Sequence, residues 1–151
     1  MSERKIKVRV RLVIVKNGKI LLSWNNIDKY FFYIGGKLEF GETLKEACER
    51  EIAEECQGAR FTFKKILYVR DFILPEEDEH SVEFFILGDI DKFEEIDGIR
   101  DDEFGGEHWQ EWVGLDELKK VKIFPETLTK QMLADYDKNF SGDTKYLGKS
   151  K

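Results

Sequence analysis

The stretch Gly36-Lys37-Leu38-Glu39-Phe40-Gly41-Glu42-Thr43-Leu44-Lys45-Glu46-Ala47-Cys48-Glu49-Arg50-Glu51-Ile52-Ala53-Glu54-Glu55 decides how this chain folds. Its first seven residues carry two glycines, which allow tight turns and close backbone approach. From Thr43 onward the pattern turns helical. Thr43 is an N-cap residue, and Glu46 three positions later completes a capping box. At about 100° per residue, Leu44, Ala47, Cys48 and Ile52 share one side, while Glu46, Glu49, Arg50 and Ala53 share the other. Glu51, Glu54 and Glu55, spaced i, i+3 and i+4, fall with the apolar side.

A charge run on a helix is ordinarily a solvated face. This one continues the stripe that must dock on the rest of the protein, where ionised carboxylates are costly unless paired or metal-bound. A hard divalent cation with oxygen ligands, Mg2+ above all, is the natural compensation. Arg50 is within reach of Glu46 or Glu54 along the helix and of Glu42 across the loop.

Together these positions resemble the Nudix box, G-x5-E-x7-R-E-U-x-E-E-x-G-U, where U is a bulky aliphatic residue. Gly36, Glu42, Arg50, Glu51, Ile52, Glu54 and Glu55 fill their places without a gap. Two places depart: Gln57 stands where the late glycine belongs, and Gly58 takes the last aliphatic place. Both lie beyond the glutamates, where a glycine displaced by one step still stops a helix. Ile34 stands where the family often has proline before the paired glycines. Further along, Glu111-Trp112-Val113-Gly114-Leu115-Asp116-Glu117-Leu118 is similar to the Trp strand and Leu-Asp-Glu-Leu turn that many Nudix domains carry. The resemblance covers roughly residues 6 to 136.

The resemblance implies an α/β/α sandwich around a mixed sheet. It implies hydrolysis of a phosphoanhydride in a nucleoside diphosphate linked to another group, with Mg2+ or Mn2+ as cofactor. Carried over residue by residue, Glu54 and Glu55 are the leading metal ligands. Glu51 is a ligand or the base for water, and the Gly36 carbonyl is a further ligand. Glu42 and Arg50 hold loop to helix. Many members add an acid from a late loop; Glu107 is the first candidate here and Glu103 the second. A nucleotide-sensing module of the same fold that does not cleave its ligand is the alternative.

The remaining chain fits one domain of 151 residues. Charged residues make up 37% and hydrophobic ones 41%, with no apolar run near the roughly 20 residues a membrane span needs. A net charge of −6 argues against a general nucleic-acid surface. No apolar leader core opens the chain. Cys48 and Cys56 are too few and too far apart for a disulfide framework, so reduced thiols and a cytoplasmic location are expected.

Lys7 to Val15 alternates basic and apolar residues as a half-buried strand, and Asn17-Gly18 marks a type I′ hairpin turn into Lys19–Trp24. Further strands are expected at Tyr30–Ile34, near Arg60–Phe72, at Ser81–Ile90 and at Trp109–Val113. A polar loop covers 74–80, and a Gly- and Asp-rich one covers 97–106. Pro125 opens a last helix with Leu128, Met132, Leu133 and Tyr136 inward. Residues 138–151 are expected to be a loose tail.

For a nucleotide substrate, the sequence offers Trp24, Phe32, Phe72 and Phe84 as stacking partners and Arg9, Arg11 and Arg70 as phosphate grips. Arg70, Phe72, Phe84 and Glu103 are the substrate-binding candidates. His80 and His108 lie in or beside loops. The N-terminal strand is a candidate edge for a homodimer.

Overall fold

A computed structural model describes residues 3–96 and 107–151. Among the described residues, nine strands form one mixed sheet: β1 Lys7–Lys16, β2 Lys19–Asn25, β3 Tyr30–Phe32, β4 Gly35–Lys37, β5 Phe61–Leu74, β6 Glu79–Ile90, β7 His108–Gly114, β8 Ile123–Phe124 and β9 Lys145–Gly148. Two α-helices accompany them among these residues, α1 Leu44–Glu55 and α2 Glu126–Tyr136. The spatial order is β8-β3-β2-β1-β6-β5-β9, with β4 also on β1 and β7 also on β2.

The period-2 pattern of β1 divides the core. Val10, Leu12 and Ile14 pack with Ala47, Cys48 and Ile52 of α1. Val13, one step out of phase, packs with Phe85 and with Leu128 and Met132 of α2. Successive side chains on a strand point to opposite faces, so α1 and α2 lie on opposite sides of the sheet. That is the α/β/α sandwich expected from the box. Burial pushes the Cys48 and Cys56 thiols up to about 12, so both are inert at neutral pH.

The Asn17-Gly18 turn has both residues at positive φ, +53° and +74°, as a type I′ turn requires. Pro125 precedes α2 as its N-cap residue. Leu128 and Met132 face inward as expected, together with Thr129, whose hydroxyl meets the buried Tyr33 hydroxyl at 2.7 Å.

Three expectations change. The polar loop at 74–80 is shorter than its composition suggests: β5 runs to Leu74, a 3-10 turn covers Pro75–Glu77, and β6 begins at Glu79. Asp78, at φ +53°, reverses the chain there. Residues 138–151 are not a loose tail, because β9 pairs in parallel with β5, Tyr68 opposite Lys145 and Arg70 opposite Gly148. Their polar groups find fixed partners: Lys145 Nζ lies 3.2 Å from Asp135, and Lys65 Nζ donates to the Phe140 carbonyl at 2.7 Å. Finally, β1 is not an edge strand. β6 covers it from Lys7 to Ile14, β4 from Arg9 to Arg11, and β2 at Val15 and Lys16. Among the described residues, no helix is long and apolar enough to cross a membrane.

Candidate active site

The loop from Gly35 to Thr43 is shaped by glycine. Gly35 has φ +148°, and a Cβ on it would lie 1.9 Å from the Val10 carbonyl oxygen. No other residue lets β4 approach β1 so closely. Gly36 faces α1, and a Cβ there would come within 2.5 Å of Glu51 Oε1. The carboxylate of Glu51 therefore rests directly on the loop backbone.

Helix α1 starts with the expected capping box. Glu46 N donates to Thr43 Oγ1 at 3.1 Å, and Thr43 N donates to Glu46 Oε1 at 3.0 Å. The helix ends at Glu55. Gly58 N then donates to the Ala53 carbonyl at 2.8 Å while Gln57 takes φ +46°, the Schellman arrangement of a helix C-terminus. The departure from the box pattern thus leaves a non-glycine residue in the left-handed position that glycine fills best.

Arg50 ties loop and helix together. Its Nε and Nη2 grip both carboxylate oxygens of Glu42, at 2.6 and 3.0 Å. Nη2 also donates to the Lys37 carbonyl at 3.0 Å, and Nη1 to Glu51 Oε1 at 2.9 Å. This fork-on-fork pairing fixes geometry as well as charge. The Arg50 hydrogen bond holds the Glu42 carboxyl below the usual carboxylate range.

The three helix glutamates differ. Glu51 is 8% exposed, and burial pushes its carboxyl above the usual value, partly offset by Arg50. Glu55 is half-buried. Glu54 is exposed, with its carboxylate 3.5 Å from Arg50 Nη1. The expectation that all three share the docked face therefore needs correction for Glu54. It lies about 60° around the axis from Glu51, on the side away from Glu55, which puts it at the rim of the buried arc. Among the described residues, no three His, Cys, Asp or Glu side chains form a closed metal cage. An all-oxygen set of one or two carboxylates and a backbone carbonyl still fits Mg2+, which keeps several waters and takes its other ligands from phosphates.

On the other face of the sheet, beside α2, lies a cleft of about 340 Å³. Arg11, Phe32, Arg70, Phe72, His108 and Phe124 are among its walls. Four residues singled out in the sequence for substrate contact, Arg11, Phe32, Arg70 and Phe72, meet here, with the guanidinium of Arg70 4.7 Å from the Phe72 ring centre. Arg11 connects the cleft to the glycine loop. Its Nη1 donates to the Tyr33 carbonyl at 3.2 Å, and its charge helps hold the Glu51 carboxyl down.

The other candidates lie elsewhere. Phe84 packs on the α1-side core, on the opposite face from the cleft. Phe85, one residue on, lines the cleft instead. Trp24 packs on Phe31, with ring centres 4.6 Å apart. Arg9 is held by Ser81 and Glu79 at 3.0 and 3.3 Å. His80 lies on the far hairpin, beside Arg4 and Ile73. Glu107 is exposed just before β7 and accepts from Asn26 Nδ2 at 3.5 Å. Glu103 and the 97–106 loop lie outside the described residues. Reading the sequence missed Glu83 and Phe124. Glu83 sits among apolar neighbours of β6 with nothing to mark it, and Phe124 gains its place from the pairing of β8 with β3, which sets it opposite Phe32.

The model of the NUDIX domain matches residues 5–134. The curated proteins contain no match to the chain. Among solved structures, a NUDIX hydrolase from Nitrosomonas europaea is 19% identical with a TM-score of 0.65, over 94% of this chain and 78% of that one. An ADP-ribose pyrophosphatase from Streptococcus suis is 17% identical with a TM-score of 0.61, over 93% and 97%. A MutT NUDIX hydrolase from Burkholderia pseudomallei is 24% identical with a TM-score of 0.61, over 86% and 97%. At these identities the three structures share the fold.

Proposed function

The chain belongs to the Nudix family, a hydrolase acting on phosphoanhydride bonds, and from that premise we propose a divalent-metal-dependent pyrophosphohydrolase of nucleotides. Its substrate is a nucleoside triphosphate, ADP-ribose or a related nucleoside diphosphate linked to another group. The observation that carries this reading is the buried Glu51 carboxylate seated on the Gly36 backbone and locked there by Arg50. A neutral helix face would need none of that arrangement.

Glu54, Glu55 and the Gly36 carbonyl would hold Mg2+ or Mn2+, with Glu51 a ligand or the base for water and Glu107 a candidate further ligand. Such an ion neutralises diphosphate oxygens and acidifies a bound water. The chain's own residues do the rest. Burial raises the proton affinity of Glu51, the direction a general base acting on water needs. Water adds to one phosphorus, the bridging P–O bond breaks, and the departing phosphate takes the electron pair. Arg50 and Glu42 keep the loop at a fixed distance from the helix, so the carboxylates meet the diphosphate without rearrangement. The cleft beside Arg11 takes the nucleoside, its base against Phe32, Phe72 or Phe124.

The test is turnover of a panel by the purified protein with Mg2+ or Mn2+: nucleoside triphosphates, nucleotide sugars, dinucleoside polyphosphates and ADP-ribose. Metal-dependent release of phosphate products supports the enzyme. Nucleotide binding by calorimetry with no turnover anywhere would instead favour a sensing module of the same fold.

A further inference from the structure

Three charges lie together at the cleft. Glu83 is 2% exposed, and its two oxygens are taken by different arginines: Oε2 by Arg11 Nε at 3.2 Å and Oε1 by Arg70 Nη1 at 2.5 Å. Each guanidinium has a second anchor on another part of the chain. Arg11 donates to the Tyr33 carbonyl at 3.2 Å, and Arg70 Nε donates to the Ser150 carbonyl at 2.6 Å. Arg70 is further held over the Phe72 ring.

Stability alone does not account for this network. Apolar side chains of the same volume would serve a packed sheet face at least as well as buried ions, and Val13 and Phe85 on this face are such residues. A carboxylate matched to a single arginine would also close the charge balance. Two arginines leave one net positive charge. Each guanidinium carries five N–H donors and no acceptor, and the bonds just described engage two donors on each.

We propose that Arg11 and Arg70, positioned by Glu83, read the base of the nucleotide and select those that present hydrogen-bond acceptors, guanine and uracil. Adenine and cytosine, which present an exocyclic amine at the corresponding edge, are disfavoured. This rests on the reading of the cleft as the nucleoside subsite. A base stacked on Phe32 meets guanidinium donors at its edge. Guanine offers the O6/N7 acceptor pair that arginine reads bidentately, whereas adenine offers an N6 amine; uracil and cytosine differ in the same sense at position 4. Donor facing donor leaves both groups unsatisfied in a partly desolvated cleft. Glu83 does not touch the base. It fixes two otherwise mobile side chains at a set separation.

Calorimetric titration of the whole protein with GDP, UDP, ADP and CDP tests this without depending on turnover. GDP and UDP should bind about tenfold more tightly than ADP and CDP. In Glu83→Gln and, independently, Arg70→Met, that ratio should collapse toward one. A merely structural role for Glu83 would weaken all four ligands alike and leave the ratio intact, which overturns its positioning role. Equal or tighter binding of ADP and CDP by the wild-type protein overturns the base selection and leaves the hydrolase reading standing. Binding of none of the four removes the nucleoside cleft itself, and the selection with it.

Discussion

The two faces of the sheet hold their charged residues by different means. On the α1 face the loop–helix glutamates and Arg50 come from one continuous segment, Gly36 to Glu55, and the capping box and Arg50 fork orient that segment locally. On the α2 face the cleft is assembled from β1, β3, β5, β6, β7, β8 and the turn into α2. Glu83, Arg11 and Arg70 are 72 and 13 residues apart along the chain, yet share one carboxylate. A local site tolerates changes elsewhere in the fold. A dispersed site depends on the sheet register, since a one-residue slip of β6 would turn Glu83 to the other face.

The comparison can be broken first at the chemical side. Glu51→Gln and Glu55→Gln should each lower kcat by about 10²-fold or more with KM little changed, measured by metal-dependent steady-state kinetics. Thermal melting of Glu51→Gln should meanwhile show no loss, and even a gain. Its carboxyl is raised in the folded state, so the ionised form costs stability at neutral pH, and the amide removes that cost. A Glu51→Gln variant that melts early with normal kcat would reverse the assignment.

The cleft should respond in the other parameter. Phe72→Ala removes a stacking surface and should raise KM about tenfold while sparing kcat. If kcat falls and KM stays, the two faces are not divided into chemistry and binding as the geometry suggests.

Smaller effects separate fold from function on the α1 face. Glu42 is held below its ordinary value by Arg50, so its contribution is full above the unfolded value and is lost as pH falls through the folded one. Glu42→Gln should lower Tm at pH 7 by about 2–4 °C, and the difference from wild type should shrink below about pH 4. Urea titrations across that range check it. The smallest effect belongs to the helix end: Gln57→Gly relieves a left-handed non-glycine residue and should add about 0.5–1 kcal/mol of stability without touching kcat.

The same division explains what could be read in advance. Thr43, Glu46, Arg50 and Glu42 interact within eight residues of one another, so helix geometry and capping rules place them before any tertiary contact forms. The Asn17-Gly18 turn was legible for the same reason. Glu54 was misjudged because the edge of a buried arc depends on how α1 rolls against β1, β4 and β5, which its own spacing does not set. Phe84 and Phe85 could not be told apart either. Phe84 to Leu87 form an unbroken apolar run in β6, and period-2 alternation has no phase there until the strand meets its neighbours. The tail at 138–151 looked loose because it is polar, but those polar groups pair with Asp135 and the β5 backbone.

From its residues alone, this chain determines the loop–helix unit, its capping, the charge of its glutamates and the family to which they belong. All of that rests on interactions between residues near in sequence. The tertiary structure alone decides which glutamate is buried, which aromatic side chains face the cleft and that one carboxylate joins two distant arginines. Strand order and register bring those groups together, and they are fixed by the packing of the whole sheet between its two helices.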